Sequence, residues 1–191
     1  MRVIAGTCKG RRLLSPDWPG LRPTSDRLRG TLFDVLGDRI EGVRLLDGCA
    51  GTGAVGIEAL SRGAAYVVFV ERDARAVALI RRNVVHCDLG DRCTIQQGEL
   101  PRALDGDAAP YDLILLDPPY GAPDISAILT AAAWHLGPQG LLVLERARRE
   151  TPLEDPGLTS LRIVRAGDSV LALYGPAARS ETSWRPARPD A

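Results

Sequence analysis

Four consecutive residues, Asp117-Pro118-Pro119-Tyr120, place an acid, two prolines and an aromatic ring side by side. Two prolines remove two backbone N–H donors and stiffen the turn, so the carbonyls become fixed acceptors beside the Asp117 carboxylate. This set suits a planar base with an exocyclic amine, which Asp117 and the Pro118 carbonyl would bind while Tyr120 stacks on the base. We therefore predict that Asp117, Pro118, Pro119 and Tyr120 form a catalytic loop that orients an amine.

A second candidate site is the glycine-rich stretch Asp47-Gly48-Cys49-Ala50-Gly51-Thr52-Gly53. Glycine allows a backbone to approach a ligand closely and to adopt positive φ, and the helix predicted after Gly53 adds N–H groups. A carboxylate at Asp47 suits the cationic methionine end of S-adenosylmethionine. The predicted cofactor residues here are Asp47, Gly48, Gly51 and Gly53.

An NAD site is the main competing interpretation of this loop. Gly51 to Gly56 matches the G-x-G-x-x-G fingerprint, and Glu71 follows at the spacing of a ribose-binding acid. However, the predicted strand ends at Asp47, too early for that motif, and its carboxylate would repel a pyrophosphate. With S-adenosylmethionine, Glu71 would bind both ribose hydroxyls. The cofactor site is completed by Arg72, Gly98 and Glu99, the last two near the adenine.

Apolar segments and helical patterns alternate along the chain from Val43 onward, which predicts a parallel sheet covered by helices on both faces. The predicted strands are Arg44–Asp47, Tyr66–Glu71, Cys93–Gln97, Asp112–Leu116, Leu141–Glu145, Leu158–Arg165 and Ser169–Tyr174. The predicted helices are Asp26–Leu36, Ala54–Arg62, Asp73–Cys87, Glu99–Leu104 and Asp124–His135. The last two strands are joined by Gly167-Asp168 and should form an antiparallel hairpin. The expected fold is a Rossmann-like α/β class I methyltransferase with a mostly parallel seven-stranded sheet.

The N-terminal stretch is predicted to be a basic arm over residues 1–37, made of a short hairpin and the first helix. Residues 38–175 would form the methyltransferase domain, and the Pro- and Arg-rich residues 176–191 a disordered tail. The first thirty residues are rich in arginine although the whole chain has no net charge. Two interpretations explain this distribution of charge: the segment binds a polyanion at one end of the molecule, or it is simply a solvated basic segment.

Composition argues against several classes of protein. No apolar run is long enough to span a bilayer, and the first residues lack a secretory signal. The four cysteines have no C-x-x-C spacing, and only two histidines are present. We therefore expect a cytoplasmic monomer with reduced cysteines, no metal and no membrane contact.

Beyond the two loops, several stretches resemble the RsmD family of bacterial 16S ribosomal RNA (guanine-N2)-methyltransferases. They are residues 2–6, 10–13, 20–29, 32–33 and 56–64. The resemblance implies S-adenosylmethionine as donor, S-adenosylhomocysteine as product, and the N2 amine of one guanine as acceptor. It also implies that the arm holds ribosomal RNA or a small-subunit assembly intermediate. We expect phosphate contacts from Arg11, Arg12, Arg22, Arg27 and Arg29.

Two residues depart from the family pattern. Gly30 stands where a glutamate is expected, and Cys49 where an aromatic residue is usual. The alternatives left open are a DNA adenine or protein glutamine methyltransferase, and an NAD-binding oxidoreductase. The sequence does not identify the target nucleotide, or whether naked RNA or an assembled subunit is the substrate.

Overall fold

The computed structural model describes residues 1–21, 24–106 and 109–177. The elements in chain order are α1 (Asp26–Leu36), β1 (Arg44–Asp47), α2 (Ala54–Ser61), β2 (Tyr66–Glu71), α3 (Ala74–His86), β3 (Cys93–Gln97), β4 (Tyr111–Leu116), α4 (Ile125–His135), β5 (Leu136–Ala147), β6 (Leu158–Ala166) and β7 (Ser169–Pro176). Among these residues, no helix is both long and apolar enough to cross a membrane.

The sheet has seven strands in the order β3-β2-β1-β4-β5-β7-β6. Strands β1 to β5 pair in parallel, whereas β7 runs antiparallel to both of its neighbours, β5 and β6. This confirms the predicted Rossmann-like methyltransferase fold with its C-terminal hairpin. The strand order reverses between β1 and β4, and ligands bind at such a switch point, outside the carboxyl ends of the strands.

Two apolar clusters cover the two faces of the sheet. One face carries the arm and the first three helices, whose side chains include Val3, Phe33 and Ile57. The other face carries α4 and the 3₁₀ turn Arg102–Leu104, represented by Leu104 and Leu129. The sheet is thus packed on both faces, which fixes the positions of the carboxyl ends of its strands.

Most predicted element boundaries differ from the observed ones by no more than two residues, and two elements differ by more. Strand β5 was predicted over Leu141–Glu145 but extends over Leu136–Ala147, because it pairs with β4 across a register shift and with β7 at its end. The predicted helix Glu99–Leu104 is reduced to Arg102–Leu104, since Leu100 precedes Pro101 and a residue before a proline is disfavoured in the helical conformation.

The N-terminal hairpin is formed and docks on α2. Arg2 pairs antiparallel with Arg12, and the N–H groups of Ile4 and Ala5 donate to the Glu58 carboxylate at 2.7 and 2.9 Å. Gly6 has φ +80°, and a Cβ there would lie 1.8 Å from the Ser61 carbonyl oxygen. Close backbone contact at Gly6 therefore fixes the hairpin tip at the C-terminal end of α2.

The predicted C-terminal tail, residues 176–191, begins too early, because its first residue still belongs to the sheet. Pro176 is the last residue of β7, and the Ala177 N–H donates to the Gly157 carbonyl at 2.9 Å. Strand pairing with β6 keeps Pro176 in the sheet. The remaining residues of that prediction, 178–191, lie outside the described residues.

Candidate functional site

The carboxyl ends of β1 and β4 bring the two predicted loops together. Asp47 pairs in register with Leu115, two residues before Asp117, and the Gly48 N–H donates to the Leu115 carbonyl at 2.9 Å. The glycine loop and the Asp-Pro-Pro-Tyr loop therefore leave adjacent strands at the same edge of the sheet. Two stretches seventy residues apart in the chain form one site.

The glycines allow the first loop to lie close against the strand ends. Gly51 and Gly53 have φ of +54° and +75°, values that residues with a Cβ rarely adopt. A Cβ on Gly48 would lie 2.8 Å from the Leu116 side chain, and one on Gly53 would lie 3.1 Å from Ile80. These three positions are restricted to glycine by backbone conformation or close packing.

Asp47 is buried at the base of the loop. Its Oδ2 accepts a hydrogen bond from the Gly56 N–H in the first turn of α2 at 3.0 Å, and only 4% of the residue is exposed. Burial raises the pKa of Asp47 to about 7, although the hydrogen bond from Gly56 acts in the opposite direction. A cation bound nearby would favour the ionised carboxylate.

Glu71 organises the neighbouring strand ends. Its two carboxylate oxygens accept hydrogen bonds from the Gly51 and Asp73 N–H groups, each at 2.8 Å. Each oxygen retains a further lone pair, so the carboxylate can still accept hydrogen bonds from two ribose hydroxyls. The Gly98 N–H donates to the Glu71 carbonyl at 3.0 Å, which places Gly98 at the same edge.

Arg72 and Glu99 form an exposed ion pair beside Glu71, with an N–O distance of 3.1 Å. Each side chain is 65% exposed. The pair links the segments that follow β2 and β3. All predicted cofactor residues therefore lie along one edge, from Asp47 at the switch point to Glu99 further out.

The catalytic loop presents Asp117 as a buried acid with a hydroxyl partner. Its Oδ2 accepts a hydrogen bond from Thr24, just before α1, at 2.8 Å. The Pro119 carbonyl accepts from the Ala122 N–H at 3.1 Å, whereas the Pro118 carbonyl has no donor within the described part of the chain. Pro118 is thus the carbonyl that remains available to a substrate amine.

Glu145 is a member of this site that the sequence analysis missed. It lies in β5, is 5% exposed, and its Oε1 accepts a hydrogen bond from the Tyr120 hydroxyl at 2.9 Å. Burial, followed by the hydrogen bond and charge of Glu145, raises the pKa of Asp117 to about 8. A signal was present, because Glu145 ends the predicted fifth strand as Asp47 and Glu71 end the first two.

The acids Asp47, Asp117 and Glu145 line one cavity of about 30 Å³, together with Thr24 and apolar residues. This space fits only about one or two water molecules. A cofactor must therefore lie above it, across the strand ends. Three acids below that position favour a cation such as a sulfonium and disfavour the two phosphates of NAD. In the residues described, no group of three or more His, Cys, Asp or Glu is arranged to hold a metal ion.

Cys49 lies within this acidic environment. Burial raises the pKa of its thiol to about 12, and the charges of Asp47, Asp117 and Glu71 add to the effect. The thiol is therefore protonated and is a poor nucleophile. Cys49 is part of the predicted glycine loop and is therefore not a reactive cysteine.

The arginines predicted to bind RNA have different environments. Arg29 is fully buried, and its guanidinium binds Asp26 at 2.6 Å and the Arg2 carbonyl at 2.8 Å. The prediction of a phosphate contact by Arg29 is therefore wrong, because its charge is used to join α1 to the arm. Arg12 and Arg27 are exposed, and Arg22 lies outside the described residues.

Arg11 lies far from the catalytic loop. It donates to the His86 carbonyl at 2.7 Å and to Asp88 at 3.1 Å, beyond the C-terminal end of α3. Helix α3 begins beside the cofactor edge and has 13 residues, which corresponds to roughly 20 Å. Arg11 is thus at the opposite edge of the sheet from Asp117, and any phosphate it contacts is distant from the reacting base.

A second cavity, of about 440 Å³, is also at that opposite edge. Its lining includes Arg44 and Tyr66, the first residues of β1 and β2, together with Thr94 near the start of β3. Its lining also includes Asp105 and Gly106. This cavity is distant from both the glycine loop and the Asp-Pro-Pro-Tyr loop, so it is not part of the candidate site.

Comparisons with known proteins show the family of this chain. A family model described as conserved hypothetical protein 95 matches residues 1–175. The chain is 34% identical to YlbH of Bacillus subtilis (strain 168) over 180 residues, covering 91% of this chain and 98% of that protein. It is 35% identical to the ribosomal RNA small subunit methyltransferase D of Haemophilus influenzae, covering 82% and 83%. The solved structure of yhhF from Escherichia coli superposes with a TM-score of 0.82 at 29% identity, covering 94% and 99%.

Proposed function

Since the chain belongs to the RsmD family, described as conserved hypothetical protein 95, we propose that it methylates the exocyclic N2 amine of one guanine in small-subunit (16S) ribosomal RNA. The donor in this proposal is S-adenosylmethionine and the product is S-adenosylhomocysteine. The acceptor is ribosomal RNA, either free or within an assembling small subunit.

The observation that carries the proposal is the convergence of Asp47, Asp117 and Tyr120 at the switch point. Asp47 is buried beneath the glycine loop, where a cationic donor group would be favoured. Asp117 lies on the adjacent strand end, and Tyr120, which is 49% exposed, offers an aromatic face beside it. One edge of the sheet thus combines a site for a cation with a site for a flat, amine-bearing base.

The residues of the catalytic loop have separable tasks in the reaction. S-adenosylmethionine supplies an electrophilic methyl group when bound. Asp117 and the Pro118 carbonyl accept hydrogen bonds from the two amine hydrogens, which directs the nitrogen lone pair towards the cofactor. Tyr120 stacks on the extruded base, and Asp117 stabilises the positive charge that develops on nitrogen.

We further assign the RNA backbone to exposed arginines on both sides of the catalytic loop. Arg27 lies in the first turn of α1, close to Thr24 and hence to Asp117. On the other side, Arg148 and Arg149 are exposed in the turn after β5. Glu150 anchors this turn, accepting hydrogen bonds from the Gly121 and Ala147 N–H groups at 2.9 and 3.1 Å. Phosphates on either side of an extruded guanine would meet these two basic positions.

The test is to map methylated nucleotides in ribosomal RNA from cells with and without the gene. We expect one N2-methylguanine of the 16S RNA to disappear, and the purified protein with S-adenosylmethionine to restore it. Free 16S RNA and assembled small subunits are offered separately, which identifies the substrate. Methylation of DNA adenine or of a protein amide instead would replace the proposal by one of its alternatives.

A further inference from the structure

Glu145 has a buried carboxylate oxygen without a donor. Oε1 accepts from Tyr120, but Oε2 meets no N–H or O–H donor among the described residues. Such buried unsatisfied groups are rare because desolvation without a hydrogen bond is costly, and they call for an explanation. A polar group that could supply a proton is the carboxyl group of Asp117, which lines the same cavity and interacts with Glu145.

Two carboxyl groups form a hydrogen bond only when one of them is protonated. Asp117 and Glu145 leave adjacent strands, β4 and β5, and line the same small cavity. Thr24 donates to the other side of Asp117, and Ser169 lies 3.0 Å from the Tyr120 hydroxyl. A single shared proton would satisfy Oε2 and complete a connected network from Thr24 to Ser169.

We propose that Glu145 is a positioning residue that couples the two working groups of the catalytic loop, fixing the Tyr120 hydroxyl through Oε1 and sharing one proton with Asp117 through Oε2. This inference rests on the proposed methyl transfer for its role, but the coupling is a property of the protein alone. Glu145 thereby sets the orientation of the stacking ring and the protonation state in which Asp117 meets the amine. Asp47 and Cys49 are the other titratable groups that face Asp117.

The coupling can be measured without RNA or cofactor. Protein labelled with ¹³C at aspartate carboxyls is titrated by NMR, and Asp117→Asn identifies the resonance of Asp117. In Glu145→Gln we expect the Asp117 midpoint to fall by about one pH unit, because a negative neighbour is replaced by an amide that can donate a hydrogen bond. The control Glu41→Gln, exposed and remote from the loop, should leave the midpoint unchanged.

Activity then separates positioning from packing. The acidic limb of the kcat profile should move to lower pH in Glu145→Gln, in step with the NMR midpoint. Tyr120→Phe, which keeps the stacking ring but leaves Oε1 without its donor, should lower kcat several-fold with little change in KM for RNA. Since Tyr120 is half exposed, this second variant should fold even if Glu145→Gln does not.

Two results would overturn the proposal. One is an unchanged Asp117 midpoint in folded Glu145→Gln, which would show that the carboxyl groups are not coupled. The other is full activity of Tyr120→Phe with an unchanged pH profile. The first result does not depend on the substrate, and the second is measured with the RNA that the unmodified protein methylates. Failure of the proposed function would instead appear as absence of RNA methylation by the unmodified protein, with the NMR coupling still present.

Discussion

At the level of single residues, the site is a set of acids whose carboxyl groups line one small cavity. Asp47 and Asp117 both have raised pKa values, mainly because they are buried. Keeping such groups near one another is unfavourable unless a proton or a cationic ligand compensates for the charge. Their clustering at the switch point is therefore better explained by ligand binding than by stability.

Replacing Asp117 tests the chemistry directly. We expect Asp117→Ala to lower single-turnover methyl transfer on the order of 10²–10³-fold, the usual effect of losing one preorganised polar contact. The matched control is Asp124→Ala, because Asp124 is exposed in the same loop and its side chain caps no helix N–H. Near-normal turnover in Asp117→Ala would reduce the Asp-Pro-Pro-Tyr loop to a rigid turn.

The raised pKa values also predict how cofactor affinity depends on pH. Asp47 and Asp117 are largely protonated at pH 6 and ionised at pH 9, since their pKa values are about 7 and about 8. The affinity for S-adenosylmethionine relative to S-adenosylhomocysteine should therefore be about tenfold higher at pH 9 than at pH 6, because only S-adenosylmethionine carries a sulfonium charge and that charge does not titrate. Calorimetry across this range measures both affinities.

The ligand-free protein should show the opposite trend in stability. Both carboxyl groups bind a proton more tightly in the folded than in the unfolded state, where the pKa is near 3.8. Their contribution to stability is fully present below about pH 4 and is lost as pH rises through 7 to 8. Asp47→Asn should reduce this loss of stability.

For the affinity measurements, a cofactor affinity independent of pH would argue against a cation beside these acids.

At the level of elements, helix α1 has both a structural and an exposed face. Ser25 caps its first turn by accepting from the Leu28 N–H at 3.1 Å, and Arg29 projects inward. The Arg29 guanidinium lies 3.9 Å from the buried Glu58, which in turn holds the arm. The helix thus joins the arm to α2 through charge, while Arg27 remains at the surface.

Two arginines on this helix should respond in opposite ways. Arg29→Ala removes a partner of the buried Glu58. We expect it to cost about 3 kcal/mol of stability, at the low end for a broken buried pair because Glu58 keeps other donors. Arg27→Ala should change stability by less than about 0.5 kcal/mol but should weaken RNA binding. Denaturant unfolding and RNA titration of both variants distinguish the two roles. Equal stability of the two variants would contradict the assignment.

Gly30 gives a stabilising prediction on the same helix. A Cβ added there would meet nothing within 4 Å, and φ is not positive. Gly30→Ala should therefore raise the free energy of unfolding by about 0.5–1 kcal/mol through helix propensity and a less flexible unfolded chain. Gly53→Ala is the contrasting variant, since φ is +75° there and Ile80 lies in close contact. If Gly30→Ala were destabilising, the helix would require glycine for another reason.

At the level of the whole molecule, basic residues are distributed over two edges of the sheet. Arg11 lies beyond the far end of α3, whereas Arg27, Arg148 and Arg149 flank the catalytic loop. A large RNA could contact both regions, but only the second is close enough to position the reacting base. The N-terminal basic charge is therefore one part of the proposed RNA surface.

The salt dependence of RNA binding tests this distribution. Arg148→Ala with Arg149→Ala should reduce the log–log salt slope by about 0.7–0.9 per lost contact, with cofactor affinity unchanged. Arg81→Ala with Arg82→Ala, an exposed adjacent pair on α3, is the matched control for lost charge. An equal reduction in both double variants would show a general charge effect and no specific contact at the catalytic edge.

The sequence by itself determined the order and type of the elements and the two loops. Apolar strands alternating with amphipathic helices leave few ways to bury both faces of a sheet, and acids at strand ends follow directly from that pattern. Strands β1, β2 and β3 were predicted with the observed limits, and they pair in regular parallel registers. The sequence alone therefore predicted that Asp47, Glu71 and Asp117 lie at the same edge of the sheet.

Only the tertiary structure decided which polar side chains face each other. Arg27 and Arg29 are both arginines of helix α1. Only the burial of Arg29 against α2 and the arm distinguishes its role from that of Arg27. The extension of β5, and with it the contact of Glu145 with Tyr120, depends on pairing with β7, 22 to 32 residues further along the chain. Such contacts arise from long-range packing, which hydrophobic periodicity does not encode.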